Sequence, residues 1–92
     1  MLEKDSLMMK ASRLFDLPGD ALGGMLRVEL MGNREVFVGN HRGILELSEN
    51  EVVLNYGKND KLHILGDNLT VSAMTTEEIR LSGIIGSVSF GD

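Results

Sequence analysis

The chain has 92 residues, a formal net charge of −5 and no cysteine. That length corresponds to one domain with a modest core, and the lack of cysteine excludes disulfides and thiolate metal sites. The nine lysines and arginines are scattered among fourteen acidic residues, so the basic stripe of a nucleic-acid binder is missing and we expect no nucleic-acid partner.

Residues 1–18 predict an N-terminal amphipathic helix or tail ahead of the main domain. Its apolar residues recur at helical spacing; they are Leu7, Met8, Ala11, Leu14 and Phe15. Pro18 ends the segment, because the residue before a proline is disfavoured in the helical region. Three interpretations stay open: a helix over one side of the main domain, a frayed tail or partner-docking helix, and a helix on a membrane surface. No apolar run approaches the roughly 18 residues of a membrane span, so we expect none.

Residues 19–92 predict an antiparallel β-domain, because short apolar-polar alternations are separated by turn-forming residues. A period of two is typical of a strand with one buried face, and no connection is long enough for a crossover helix. We therefore predict a small antiparallel β-sandwich or β-roll of about eight short strands. These strands lie at 25–31, 36–38, 44–47, 51–56, 61–65, 69–73, 78–82 and 84–90. Gly83 and Gly86 are predicted bulge or bend positions.

The alternation divides the side chains between a core face and an outer face. The predicted core face holds Leu45, Leu47, Val52, Leu54, Leu62, Ile64, Leu69, Val71, Ile79, Leu81, Ile84, Val88 and Phe90. On the outer face, the alternation predicts an apolar patch formed by Phe37, Ile44, Val53 and Leu65, with Ile85 as a further member. Such a patch requires a cover, which is either the N-terminal helix, a second copy of the chain or another protein.

Candidate catalytic and metal-binding residues are few. His41 and His63 are the only histidines, predicted in a turn and on a strand surface without the ligand spacing of a zinc site. The carboxylates of the turns do not follow the pattern of a calcium loop, and no serine lies in a nucleophile motif. We therefore expect no enzymatic activity, no cofactor and no metal.

The order of several segments resembles the YabP/YqfC family of sporulation proteins, in particular its YqfC-like branch. The similar segments are FDLPGD at 15–20, NHRGI at 40–44, LHILGDNLTV at 62–71 and EIRLSGIIGSVSF at 78–90. The resemblance implies a small all-β domain with no known enzymatic activity or cofactor, and it carries over no catalytic residue. His41, Arg42 and Gly43 are signature residues; His41 and Arg42, expected at an exposed tip, are candidate partner contacts.

The resemblance also implies a role in endospore formation, in the mother cell of a sporulating bacterium. The expected function is non-enzymatic assembly through protein–protein contacts, by self-association or with another sporulation protein, including a membrane protein. The implied location is the mother-cell cytoplasm, with peripheral attachment to the forespore membrane through a partner as a variant. The alternative function is a ligand-binding module for a cell-wall glycan fragment. That module would use a polar face formed by Thr70, Ser72, Arg80, Ser82, Ser87 and Ser89.

Overall fold

Six antiparallel strands form one sheet in the order β1-β2-β6-β5-β4-β3. The computed structural model describes residues 25–91, so the predicted helix within 1–18 lies outside the described residues. The strands are β1 Arg27–Met31, β2 Glu35–Gly39, β3 Gly43–Leu47, β4 Glu51–Asn55, β5 Lys61–Met74 and β6 Glu78–Gly91. The prediction of an antiparallel all-β domain is therefore confirmed.

The predicted number of about eight strands is wrong, because two predicted breaks are bends within continuous strands. β5 joins the predicted strands 61–65 and 69–73, β6 joins 78–82 and 84–90, and each is 14 residues long. Shifts in the pairing register mark the bends. Polar and glycine residues in a strand can therefore produce a bulge and a change of direction instead of a turn that ends the strand.

Gly83 lies at one of these bends. Its φ is +139°, and a Cβ atom there would lie 2.6 Å from the carbonyl oxygen of Asn68. Gly86 is the extra residue where the register of β5 against β6 shifts, since Leu65 pairs with Ser87 and Gly66 with Ile85. The predicted bulge or bend positions at Gly83 and Gly86 are confirmed.

The bends fold the sheet onto itself as two layers. The first layer contains β1, β2 and the paired segments 78–82 of β6 and 70–74 of β5. The second contains β3, β4 and the paired segments 61–65 of β5 and 87–91 of β6. Buried side chains of both layers form one hydrophobic cluster. The most deeply buried are Val36, Val38, Val52, Leu54, Leu62, Ile64, Ile79 and Leu81.

The bend also changes which isoleucine enters the core. Ile84, predicted on the core face, is 40% exposed, whereas Ile85, predicted on the outer face, is buried. The irregular register near Gly83 moves the alternation by one residue, and a shift of one residue exchanges the two faces of a strand. The assignments of Ile84 and Ile85 from the sequence were therefore wrong.

Candidate functional site

The crossover between β2 and β3 joins the two layers. Asn40 has a φ of 65°, which asparagine tolerates better than most residues, and its side-chain amide donates to a backbone carbonyl just ahead of β1, at 2.8 Å. The backbone N–H of His41 donates to the carbonyl of Glu77 at 3.2 Å, and that of Arg42 to the carbonyl of Asn55 at 2.6 Å. The crossover is thus hydrogen-bonded to both layers.

His41 lies in the interior with 3% exposure, so its predicted position at an exposed tip is wrong. Neither ring nitrogen has a hydrogen-bond partner among the described residues. Burial lowers the pKa of His41, while the nearby backbone of Glu78 and the carboxylate of Glu77 offset part of the shift. Arg42 is exposed, as predicted, and borders an open cleft together with Glu77. Of the two signature side chains, the structure therefore leaves Arg42 open to a partner.

The predicted apolar patch does not form as one surface, because its members lie on different faces. Ile44 packs against the core and pairs with the fully buried Leu54. Phe37 lies on the outer face of the first layer, half-buried, with the guanidinium carbon of Arg80 5.8 Å from its ring centroid. Neither Ile44 nor Phe37 can therefore share a surface with the predicted patch residues of the second layer.

Val53 and Leu65 do share a face, the outer face of the second layer. Leu65 is 44% exposed, whereas Val53 is buried. A bulge in β3 shifts the register between Ile44 and Glu46, so that Glu46 pairs with Val53. An extra residue at a bulge turns two neighbouring side chains toward the same face, which places Leu45 outward, against its predicted core position. No glycine or proline lies at the bulge to indicate it in the sequence, so the outward position of Leu45 was not predicted.

β3 presents an apolar edge. Leu45 and Leu47 are 53% and 51% exposed, and within residues 25–91 the outer side of β3 has no strand partner. Such an edge offers unpaired N–H and C=O groups to another strand, and β3 carries no lysine or proline of the kind that blocks pairing. We call the unpaired side of β3, with Leu45, Glu46 and Leu47, the β3 edge surface.

The serine- and threonine-rich residues of the last strands are divided between the layers. Thr70 pairs with Ser82 in the first layer, whereas Ser87 and Ser89 pair with residues of the second. The hydroxyl of Ser72 donates to the backbone carbonyl of Arg80 at 3.2 Å. The polar face considered for a glycan is therefore split by the bend and partly engaged by its own backbone.

Residues 25–91 contain no group of three or more His, Cys, Asp or Glu side chains placed to hold a metal ion. His63 Nδ1 lies 3.7 Å from a carboxylate oxygen of Glu51 near the surface, whereas His41 is buried in the crossover. The two histidines thus have separate surroundings. Nowhere in the described part of the chain does a helix have the length and apolarity needed to traverse a bilayer.

Comparison with known proteins matches residues 24–92 to the YabP family. The chain belongs to the YabP family. It is also similar to a protein of Bacillus subtilis (strain 168) named uncharacterized protein YqfC, with 37% identity over 84 residues that cover 89% of each chain. No solved structure matches it.

The segments that resemble the YabP/YqfC family lie where this YabP-family fold changes direction. The segment at 40–44 forms the crossover between the layers and the start of β3, while 62–71 and 78–90 contain the bends of β5 and β6. These positions need particular residues for backbone reasons, since Asn40 and Gly83 both have positive φ. The architecture thus accounts for part of the resemblance, at Asn40 and Gly83.

Proposed function

We propose that this YabP-family protein takes part in endospore formation as a non-enzymatic assembly component that binds a protein partner through the β3 edge surface. The observation that carries the proposal is the edge strand β3, whose outer side has no strand partner within residues 25–91 and whose two leucines, Leu45 and Leu47, are both more than half exposed. The sporulation setting is supported by the family resemblance and membership. The partner is a second copy or another sporulation protein, including a membrane protein, met in the mother cell or at the forespore membrane.

An edge strand binds a partner through two kinds of contact. Backbone N–H and C=O groups pair with an added strand and supply affinity, while alternate side chains fit pockets and supply specificity. In β3 the bulge separates these side chains, because Leu45 is turned outward and Leu47 pairs with the inward-facing Val52. The β3 edge surface thus offers an apolar contact on each side of an added strand.

The opposite edge of the sheet is less suited to pairing. On β1, the guanidinium of Arg27 lies 2.6 Å from a carboxylate oxygen of Glu29, and both side chains are exposed. Charged side chains on an edge strand oppose the approach of another strand, and β1 carries two of them where β3 carries one, Glu46. This difference favours β3 over β1 as the binding edge.

The separation of the titratable side chains supports a function without catalysis. A general acid or base must reach its substrate and be paired with other reacting groups. His41 is buried in the crossover, and His63 Nδ1 lies 3.7 Å from a carboxylate oxygen of Glu51. Surface contact is the function that the exposed apolar residues support best.

The test is to place charge on the β3 edge surface. The double variant Leu45→Lys, Leu47→Lys adds two charges to an exposed edge, so it should fold normally and lose about tenfold or more in affinity for its partner. Cross-linking and affinity capture from sporulating cells, together with light scattering, measure hetero- and self-association. Heat-resistant spore counts in a complemented deletion strain measure the function.

The matched control is Met74→Lys, which changes another exposed apolar side chain, 57% exposed, at the far end of β5. This control should keep both the captured complex and the spore count of the unmodified protein. If the double variant also keeps both, the β3 edge surface is not the binding site. If deletion of the gene leaves the spore count unchanged, the sporulation role is wrong.

A further inference from the structure

An apolar opening runs between β1 and the C-terminal part of β6. Leu26, Val28 and Leu30 border it from the β1 side, Val88 and Phe90 from the β6 side. No Cα atom of β1 lies within 8 Å of a Cα atom of β6, whereas paired strands lie about 4.8 Å apart. The two edges therefore face each other without pairing. We call this opening, with its five side chains, the seam.

The seam exposes side chains that lie on the inward side of their layers. Phe90 pairs with the fully buried Leu62, and Leu30 with the fully buried Val36. Even so, Phe90 is 65% exposed and Leu30 53% exposed. The rings of Phe90 and Tyr56 meet edge to face, with centroids 6.1 Å apart. A continuous apolar surface of this kind marks a place where another element docks.

We propose that the seam is covered by the N-terminal segment of the same chain, residues 7–15, with the apolar side of that segment against it. Met25, the first described residue, lines the seam next to Tyr56 and Phe90. The preceding residues are thus attached at the mouth of the opening. A tether of this kind gives the segment a high effective concentration at the seam.

The dimensions of the segment fit the seam. Nine residues, 16–24, separate the segment from Met25, and a chain of that length spans at most roughly 30 Å, which would let the segment return along the opening. As a helix, residues 7–15 would be roughly 13 Å long, compared with roughly 18 Å for the strand from 85 to 90. The apolar residues at helical spacing are Leu7, Met8, Ala11, Leu14 and Phe15, which match the apolar lining in character.

Docking of the segment at the seam does not depend on partner binding at the β3 edge surface. β1 and β3 are the two ends of the sheet order, so the seam and the β3 edge surface lie on different edges of the sheet. A second copy bound at the seam would have to displace the tethered segment. Covering the seam with the chain's own segment leaves β3 as the apolar edge open to a partner.

Engineered disulfides test the occupant directly, because the chain contains no cysteine of its own. Phe90→Cys is combined in turn with Leu7→Cys, Ala11→Cys and Leu14→Cys in the full-length chain. Mild oxidation of dilute protein should produce an intramolecular disulfide in at least one pair. The control replaces Phe90→Cys with Met74→Cys, also exposed but in the segment of β5 on the other side of the first layer, and this control should stay reduced.

Two outcomes would overturn the inference. Disulfides that link separate chains would assign the seam to a second copy. If no Phe90→Cys pair forms a disulfide, the segment does not dock at the seam. The same conclusion follows if the Met74→Cys controls form disulfides equally often.

Hydrogen exchange provides a second measurement without cysteines. The double variant Leu14→Asp, Phe15→Asp should release the segment and accelerate amide exchange about tenfold in β1 and in residues 86–91. The amides of β4, on the far side of the second layer, should exchange as before. Unchanged exchange in β1 would contradict the docking of this segment at the seam.

Discussion

His41 is a buried histidine in the crossover that joins the two layers of the fold. Its backbone N–H donates to Glu77 across the crossover, which draws the side chain inward. Neither ring nitrogen has a hydrogen-bond partner among the described residues. A protonated imidazole there loses hydration that the nearby backbone of Glu78 and the carboxylate of Glu77 replace only in part, and this is why burial lowers the pKa of His41.

The lowered pKa of His41 predicts that the protein loses stability on acidification. The unfolded chain, with a histidine pKa near 6.5, takes up the proton at a higher pH than the folded protein does. The contribution of neutral His41 to the free energy of unfolding is therefore fully present above about pH 6.5. It is lost as the pH falls toward the lower pKa of the folded state. Urea unfolding at a series of pH values should show the free energy of unfolding decreasing over that range.

The variant His41→Leu should flatten this part of the pH profile, because the group that takes up the proton is gone. His63→Gln removes the other histidine, at the surface beside Glu51, and serves as the control for loss of a histidine elsewhere. An unchanged slope in His41→Leu would show that other groups cause the acid sensitivity.

At the scale of elements, the bends of β5 and β6 decide the shape of the domain. The turns of the two neighbouring hairpins hold them in place: the N–H of Gly83 donates to the carbonyl of Arg34 at 3.1 Å, and the N–H of Gly66 to the carbonyl of Asn50 at 3.0 Å. At each bend, a backbone hydrogen bond to an adjacent turn thus takes the place of an interstrand hydrogen bond between β5 and β6. The backbone approaches closely enough at these points to exclude a side chain.

The variant Gly83→Ala should be less stable by about 1 to 3 kcal/mol. The added methyl group would meet the carbonyl oxygens of Asn68 and Asp67 at a φ of +139°, so backbone as well as side chain would have to move. Gly43→Ala is the matched control, since nothing lies within 4 Å of its Cβ position. Chemical denaturation of both variants measures the difference, and equal stability of the two would show that the bend tolerates a side chain.

The same bends explain how far the sequence predicts this fold. The two-residue period correctly placed Val52, Leu54, Leu62 and Ile64 in the core, because burial of one strand face dictates that period. It failed at Leu45, where a bulge shifts the alternation by one residue. A bulge depends on how two strands pair. The alternation of apolar and polar residues in one strand does not show how that strand pairs with another.

The candidate site was predicted less completely than the fold for a related reason. Arg42 and Leu65 are exposed as a partner contact requires, but His41 and Val53 are buried. His41 is buried because the crossover meets chain segments that come together only after the sheet folds over, whereas Val53, on the outer face, lies between its strand neighbours Glu46 and His63. The β3 edge surface likewise depends on strand order, which alternation does not specify.

For the whole molecule, the sharing of β5 and β6 between the layers has a thermodynamic consequence. Each of these strands contributes to both layers side chains that belong to one hydrophobic cluster: Val71 and Leu81 in the first layer, Ile64 and Val88 in the second. Opening one layer exposes the apolar face of the other. The two layers should therefore unfold together as one cooperative unit.

Thermal unfolding should accordingly show a single transition. Tyr56, the only tyrosine, follows β4 and meets Phe90, so its fluorescence reports on the second layer, while far-UV circular dichroism reports on both. The two signals should have the same midpoint, and the calorimetric enthalpy should equal the van't Hoff enthalpy. Separate midpoints would mean that the layers are independent.

The pairing of β2 with β6 also has a consequence for biosynthesis. Glu35 of β2 pairs with Ser82 of β6, which a ribosome adds roughly 47 residues later, or about 2 to 9 s later at common elongation rates. During that interval the β1–β2 hairpin lacks the strand that completes its layer. The nascent chain therefore passes through a stage in which the hairpin exposes apolar side chains and an unpaired strand edge. A chaperone that binds exposed β-hairpins would bind the nascent chain at that stage.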